Sequence, residues 1–117
     1  MYKSFKDMPV WKDAMDLAVE IFKISENFPK KEDYELTSQL RRAASSISAN
    51  IAEAYGRNHT LDKINFYYYS RGSVTETQNH IEYGRRVEYI KEETAKIFDA
   101  RLDKICNDLN KIILSLR

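Results

Sequence analysis

Few residues in this chain carry reactive chemistry: two histidines, His59 and His80, and one cysteine, Cys106. Glu76 and His80 are four apart, so on a helix they share a face in the way metal-binding pairs do. Dinuclear sites in helical bundles use Glu-x-x-His twice together with further glutamates, and the second histidine here, His59, falls in a loop. The set is incomplete, and no metal is expected. Cys106 lies beside Ile105 and Leu109, a setting for a packed core thiol, whereas a nucleophilic thiol needs an electropositive, partly open site and an orienting base. There is no glycine-rich phosphate loop, no Ser/His/Asp arrangement and no acid pair in an evident pocket. No cofactor and no catalysis are expected; a pocket gathering two perturbed acids or a metal would revive an enzyme reading.

The remaining chemistry is that of surfaces. Tyr67, Tyr68 and Tyr69 are consecutive, and on a helix they point about 100° apart, so they cannot all enter one core. At least one ring needs another surface: solvent, a neighbouring subunit or a stacked base. A subunit interface is the expectation for these three. Basic residues pair as Arg41–Arg42 and Arg85–Arg86, with Arg57 and Lys63 near a turn. Such pairs usually form a solvated face. Gathered by the symmetry of an oligomer, Arg41, Arg42, Arg57, Arg85 and Arg86 would form a phosphate-binding surface for RNA or DNA.

These residues need a scaffold, and composition says which kind. The chain has 117 residues, 43% of them hydrophobic and 32% charged, with only three Gly and two Pro. That is one domain's worth of helical chain, since folds that turn often need more residues able to take φ > 0 or a preset φ. Nineteen Lys and Arg against eighteen Asp and Glu leave a net charge of +1. Coating nucleic acid by bulk charge is therefore excluded, and only a local patch remains. One cysteine allows no internal disulfide, and no signal segment or apolar run of about 20 residues is present. A cytoplasmic protein with no membrane partner is expected.

Four segments carry a helical period. Pro9 suits a first helical turn with Asp7 as its cap, and Val10, Ala14, Leu17, Ile21, Ile24 and Phe28 form a stripe that Pro29 ends. The second helix is expected from about Tyr34 to Arg57, with Leu36, Leu40, Ala43, Ile47, Ile51 and Ala54 inside. Its small middle residues suit a central helix contacted from more than one side. Gly56 breaks it and Thr60 is expected to cap the third, which runs from about Leu61 into Tyr83–Tyr89 with Ile64, Tyr67, Val74 and Ile81 in its seam. Arg71 and Gln78 fall at the intervening seam positions and imply a polar layer inside the bundle. Gly72 within this helix is expected to mark close backbone packing. The fourth helix reads Phe98, Leu102, Ile105, Leu109, Ile112 and Leu116 as a heptad seam. Together these predict an all-α, antiparallel up-down-up-down four-helix bundle, one domain over residues 1–117.

Phe5-x-Asp-x-x-Val-Trp11, Leu36-Thr-Ser-Gln-Leu-Arg-Arg-Ala-Ala44, Asn50-Ile-Ala-Glu53, Gly56-Arg57 and Arg71-Gly-Ser73 resemble the four-helix bundle proteins encoded within intervening sequences of bacterial 23S ribosomal RNA genes. The similarity covers about residues 5 to 90. It implies a ring-like homo-oligomer, a pentamer. The chain is also similar to the accessory proteins of diversity-generating retroelements, whose rings bind nucleic acid and a reverse transcriptase; this implies a protein partner as the alternative to RNA. Ser48 and Ala54 stand where the family commonly has proline and glycine, departures that should straighten the second helix. Arg41, Arg42, Asn50, Glu53, Arg57 and Arg71 match family positions.

Overall fold

The computed structural model describes residues 2–117. Four α-helices follow in order: α1 (Pro9–Ser25), α2 (Leu36–Tyr55), α3 (Thr60–Arg86) and α4 (Glu92–Leu116), with single 3-10 turns at Phe5–Asp7 and Lys30–Glu32. Each helix packs on its neighbours in sequence and α1 closes on α4, while the backbones of the diagonal pairs α1/α3 and α2/α4 stand farther apart. The result is a square antiparallel four-helix bundle of 43 × 24 × 21 Å. The ion pairs Asp13–Lys104 (3.1 Å) and Glu20–Arg101 (2.6 Å) fix the antiparallel alignment of α1 with α4, since the α4 partner moves back as the α1 partner moves forward.

Helix ends depart from the sequence reading in instructive ways. Asp7 does not cap α1. It closes the preceding 3-10 turn, whose own cap is Ser4, while Met8 is the N-cap residue of α1 and sends its side chain into the core. No side chain caps α1; Pro9 in the first turn presets the helical φ and removes one of the donors a cap would have to satisfy. α1 ends at Ser25, ahead of Pro29, where the backbone tightens to i→i−3 bonds, from Glu26 N–H to the Lys23 carbonyl (3.3 Å), Asn27 N–H to Ile24 (3.2 Å) and Phe28 N–H to Ser25 (3.1 Å). α2 begins at Leu36 rather than Tyr34, whose ring is 96% exposed. Thr60 is the first residue of α3 and not its cap; His59 occupies the cap position without a side-chain bond. At the end of α2, the Lys63 ammonium donates to the carbonyls of Ala54 (3.2 Å) and Tyr55 (3.1 Å), satisfying groups the helix leaves open.

The predicted inner stripe of α2 is buried throughout, and the helix runs unbroken through Ser48 and Ala54. In α4 the buried row is Ala95, Phe98, Leu102, Ile105, Leu109 and Ile113. Ile112, expected in the seam, is only half-buried, because a helix of 3.6 residues per turn drifts about 20° per heptad and Ile113 takes its place.

α3 holds the larger surprise. Its fully buried polar residues are Ser70 and Thr77, not Arg71 and Gln78. Ser70 donates to the Ile47 carbonyl of α2 (2.8 Å) and Thr77 to the Ser73 carbonyl (2.7 Å), so each hydroxyl is satisfied by backbone. Arg71 and Gln78 sit at the edge of the bundle in the α3/α4 groove, bonded to Asn110 (2.8 Å) and Asp103 (2.9 Å). The Arg71 guanidinium also lies 4.7 Å from the Tyr68 ring centroid, which relieves it of the carboxylate a buried arginine would need. Gly72 packs against nothing. Close packing falls instead at Gly84, where a Cβ would stand 2.8 Å from Ile90 Cδ1.

Candidate interaction surfaces

Of the arginines expected to bind phosphate, Arg41 is half-buried and engaged by its own chain. Its Nε donates to the Ser25 hydroxyl (2.7 Å) and its guanidinium lies 4.2 Å from the centroid of Phe22. Placed at the last turn of α1, the cation also offsets the negative end of that helix. Arg42, one residue on, is exposed and forms no ion pair among the described residues. Arg85 and Arg86 converge on one carboxylate. Glu82 accepts both forks of Arg85 (3.0 and 2.7 Å) and Nε of Arg86 (2.8 Å), and these bonds, Arg85 first, hold it at a pKa of about 2. Arg57 pairs with Glu53 (3.3 Å) and covers the Phe66 ring at 4.6 Å, and Phe66 meets Tyr69 edge to face at 5.3 Å. Arg41 and Arg57 lie roughly 24 Å apart along α2 at 1.5 Å per residue. A single copy therefore presents these arginines in separate places.

The three tyrosines divide as their helical angles require. Tyr67 is 5% exposed and belongs to the core, so it is not available to a neighbouring subunit, and burial raises the pKa of its hydroxyl. Tyr68 packs half-buried against the core and receives a hydrogen bond from the Arg117 side chain. Tyr69 is 57% exposed. The stack Arg57–Phe66–Tyr69 is where an expected arginine and an expected tyrosine come together. Phe66 was not anticipated, although its position three residues before Tyr69 was a sufficient signal.

Glu76 and His80 do approach, at 3.5 Å, and no third His, Cys, Asp or Glu joins them in a metal-sized group among the described residues. Cys106 is half-buried against the core. One group stands out electrostatically. Asp99, on the α3-facing side of α4, has a buried Oδ1 without a hydrogen-bond partner. Burial, and then the charges of Asp103 and Glu82, push its carboxyl up from the usual range. No helix is long and apolar enough to cross a membrane.

Fold and surface together define an antiparallel four-helix bundle whose conspicuous side chains lie mostly on outward faces. Residues 6–111 match the model of the 23S rRNA-intervening sequence protein family, and the chain belongs to that family. The chain is similar to the crystal structure of a protein of unknown function from the S23 ribosomal protein family of Bacteroides thetaiotaomicron VPI-5482. The two are 27% identical over 89% of this chain and 94% of the other, with a TM-score of 0.82. No curated protein matched the chain. Neither the family nor that structure indicates an enzyme.

Proposed function

We propose that this protein is a non-enzymatic bundle that associates with further copies of itself and, in that assembled form, binds RNA. The observation that carries the proposal is the distribution of exposed large apolar side chains. Val19 and Phe22 lie outward on α1, Leu61, Tyr69 and Tyr83 on α3, and Ile97 and Leu114 on α4. Val19 and Phe22, three residues apart on one face of α1, set two large apolar side chains side by side in solvent, and such a pair favours burial against another copy. The five-membered ring implied by the sequence resemblance would repeat Arg42 and the Arg57–Phe66–Tyr69 stack around an axis. That supplies phosphate contacts and aromatic edges together, and the family's tie to 23S rRNA makes structured ribosomal RNA the ligand to test.

Filter binding of structured ribosomal RNA at two salt concentrations tests this, with light scattering on the same samples. Expected are a multi-copy mass and an affinity that falls steeply with salt, weakened further in an Arg42→Ala, Arg57→Ala double variant. Absence of salt-dependent binding overturns the RNA reading. A second reading, a scaffold for a protein partner, is favoured by one specific observation: Glu82 and Glu53 already neutralise three of the expected arginines. A pull-down that returns a protein after nuclease treatment would support it.

A further inference from the structure

α3 is longer than any other helix of the bundle and carries two rows. The inner row is consumed by the core. The outer row, Asn65, Tyr69, Gly72, Glu76, Asn79 and Tyr83, steps by four and three residues along nearly the whole helix, and every member is exposed. Leu61 and Val87 extend it at the two ends, both exposed as well. At its centre Gly72 has no positive φ, and a Cβ built on it meets nothing within 4 Å. A glycine inside a helix destabilises it relative to alanine. Neither backbone conformation nor packing within the chain accounts for this one. A missing side chain at the middle of an exposed row lets another helix approach closely.

We infer that this row docks on the same row of a second copy, antiparallel, about a two-fold axis. The inference rests on the self-association proposed above and specifies one of its faces. Steps of four and three are the spacing of a coiled-coil seam, and in an antiparallel pair the two kinds of seam position face each other. The register that overlaps α3 over its full length sets Gly72 against Glu76 of the second copy, Tyr69 against Asn79, and Asn65 against Tyr83. The same register brings Asp62 opposite Arg86, which keeps its own bond to Glu82, so that opposite charges meet at both ends. A shift of one heptad either way leaves Asn65 or Tyr83 without a facing α3. Parallel alignment sets Glu76 against Glu76 and Arg86 against Arg86. In the antiparallel register, the space left at Gly72 receives the Glu76 side chain of the second copy, whose carboxylate lies 3.5 Å from its own His80.

A two-fold contact closes on pairs. Copies would number two if this face acts alone, and ten if a five-membered ring forms through another face. Light scattering of the wild type, Gly72→Glu and Phe22→Glu tests this. Gly72→Glu puts bulk and a second negative charge against Glu76, and should halve the mass while the full helical circular dichroism signal is retained. An unchanged mass overturns the inference. A wild type that is a single copy at every concentration overturns both this inference and self-association. A wild type that associates, with a mass sensitive to Phe22→Glu alone, overturns this inference and leaves self-association standing. A second measurement fixes direction, in a Cys106→Ser background treated with diamide. Asn65→Cys with Tyr83→Cys should cross-link into covalent dimers, and Asn65→Cys alone should not. Dimers from Asn65→Cys alone overturn the antiparallel register.

Discussion

Gly72 and Gly84 stand twelve residues apart on the same helix and answer to different constraints. At Gly84 the Ile90 side chain occupies the space a Cβ would need, and the Gly84 carbonyl accepts from Tyr89 N–H (2.8 Å) and Ile90 N–H (3.1 Å) as the chain turns toward α4. That glycine is explained within the chain. Gly72 faces open space. The same division runs along the whole of α3. Its inner face is determined by α2 and α4, down to Ser70 on the Ile47 carbonyl, and its outer face by nothing inside the molecule. A residue with an internal cause should lose stability on mutation, and one without should answer only to helix propensity and to what docks on it.

The largest expected effect breaks the comparison at neighbouring positions. Ile81 is fully buried and Tyr83, two residues on, is exposed. Ile81→Ala should lower unfolding free energy by about 3 kcal/mol, through lost transfer energy and the cavity left behind. Tyr83→Ala should change it by less than about 0.5 kcal/mol in the single-copy state. Urea titration at low protein concentration checks both. Equal losses would show that the outer row is tied into the fold of one copy.

The glycines themselves sharpen it. Gly84→Val forces Ile90, 4% exposed, off its position and should cost about 2 kcal/mol by overpacking. Gly72→Ala in the single-copy state should instead gain about 0.7 kcal/mol, since alanine is the better helix former and finds room. Thermal unfolding of the two variants beside the wild type reads the opposite signs. A loss at Gly72→Ala would mean that this position is constrained from within.

How much of this the sequence disclosed follows the same line. The stripe of α2 and most of that of α4 were legible because burial there repeats at helical period in apolar residues. Ile112 and Ile113 differ only in phase, and adjacent isoleucines do not reveal the drift that chooses between them. α3 was misread at its polar positions because Ser70 and Thr77 look like surface residues. Their partners are backbone carbonyls, which leave no mark in a sequence. The arginine pairs were visible as pairs, yet whether each met Glu82, Glu53 or a serine hydroxyl depended on short-range geometry. Arg41 illustrates the limit: its partners Ser25 and Phe22 lie 16 and 19 residues away, on another helix. The tyrosine triplet was legible as a conflict, one ring too many for a core, and the structure resolves it with Tyr67 inside and Tyr69 outside.

The smallest expected effect concerns two carboxylates in the α3/α4 groove whose pKa values are displaced in opposite directions. Glu82, held at about 2 by Arg85 and Arg86, binds its proton more weakly when folded. Its contribution to stability is present above the ordinary glutamate value of roughly 4.3 and disappears as pH falls toward 2. Asp99 has the reverse sign. Burial, with Asp103 and Glu82 nearby, raises its carboxyl above the ordinary range, so folding favours the protonated form. Stability then declines as pH rises from the unfolded value of roughly 3.9 through the folded one, and stays lower by that amount above it. Asp99→Asn removes a charge whose Oδ1 has no donor and gives the groove an amide able to donate to Asp103. The variant should be slightly more stable than wild type at neutral pH, by less than Gly72→Ala gains, with the difference vanishing below about pH 3. Denaturant midpoints across that range check it. A difference that persists unchanged into acid would show that the gain came from packing and not from the charge.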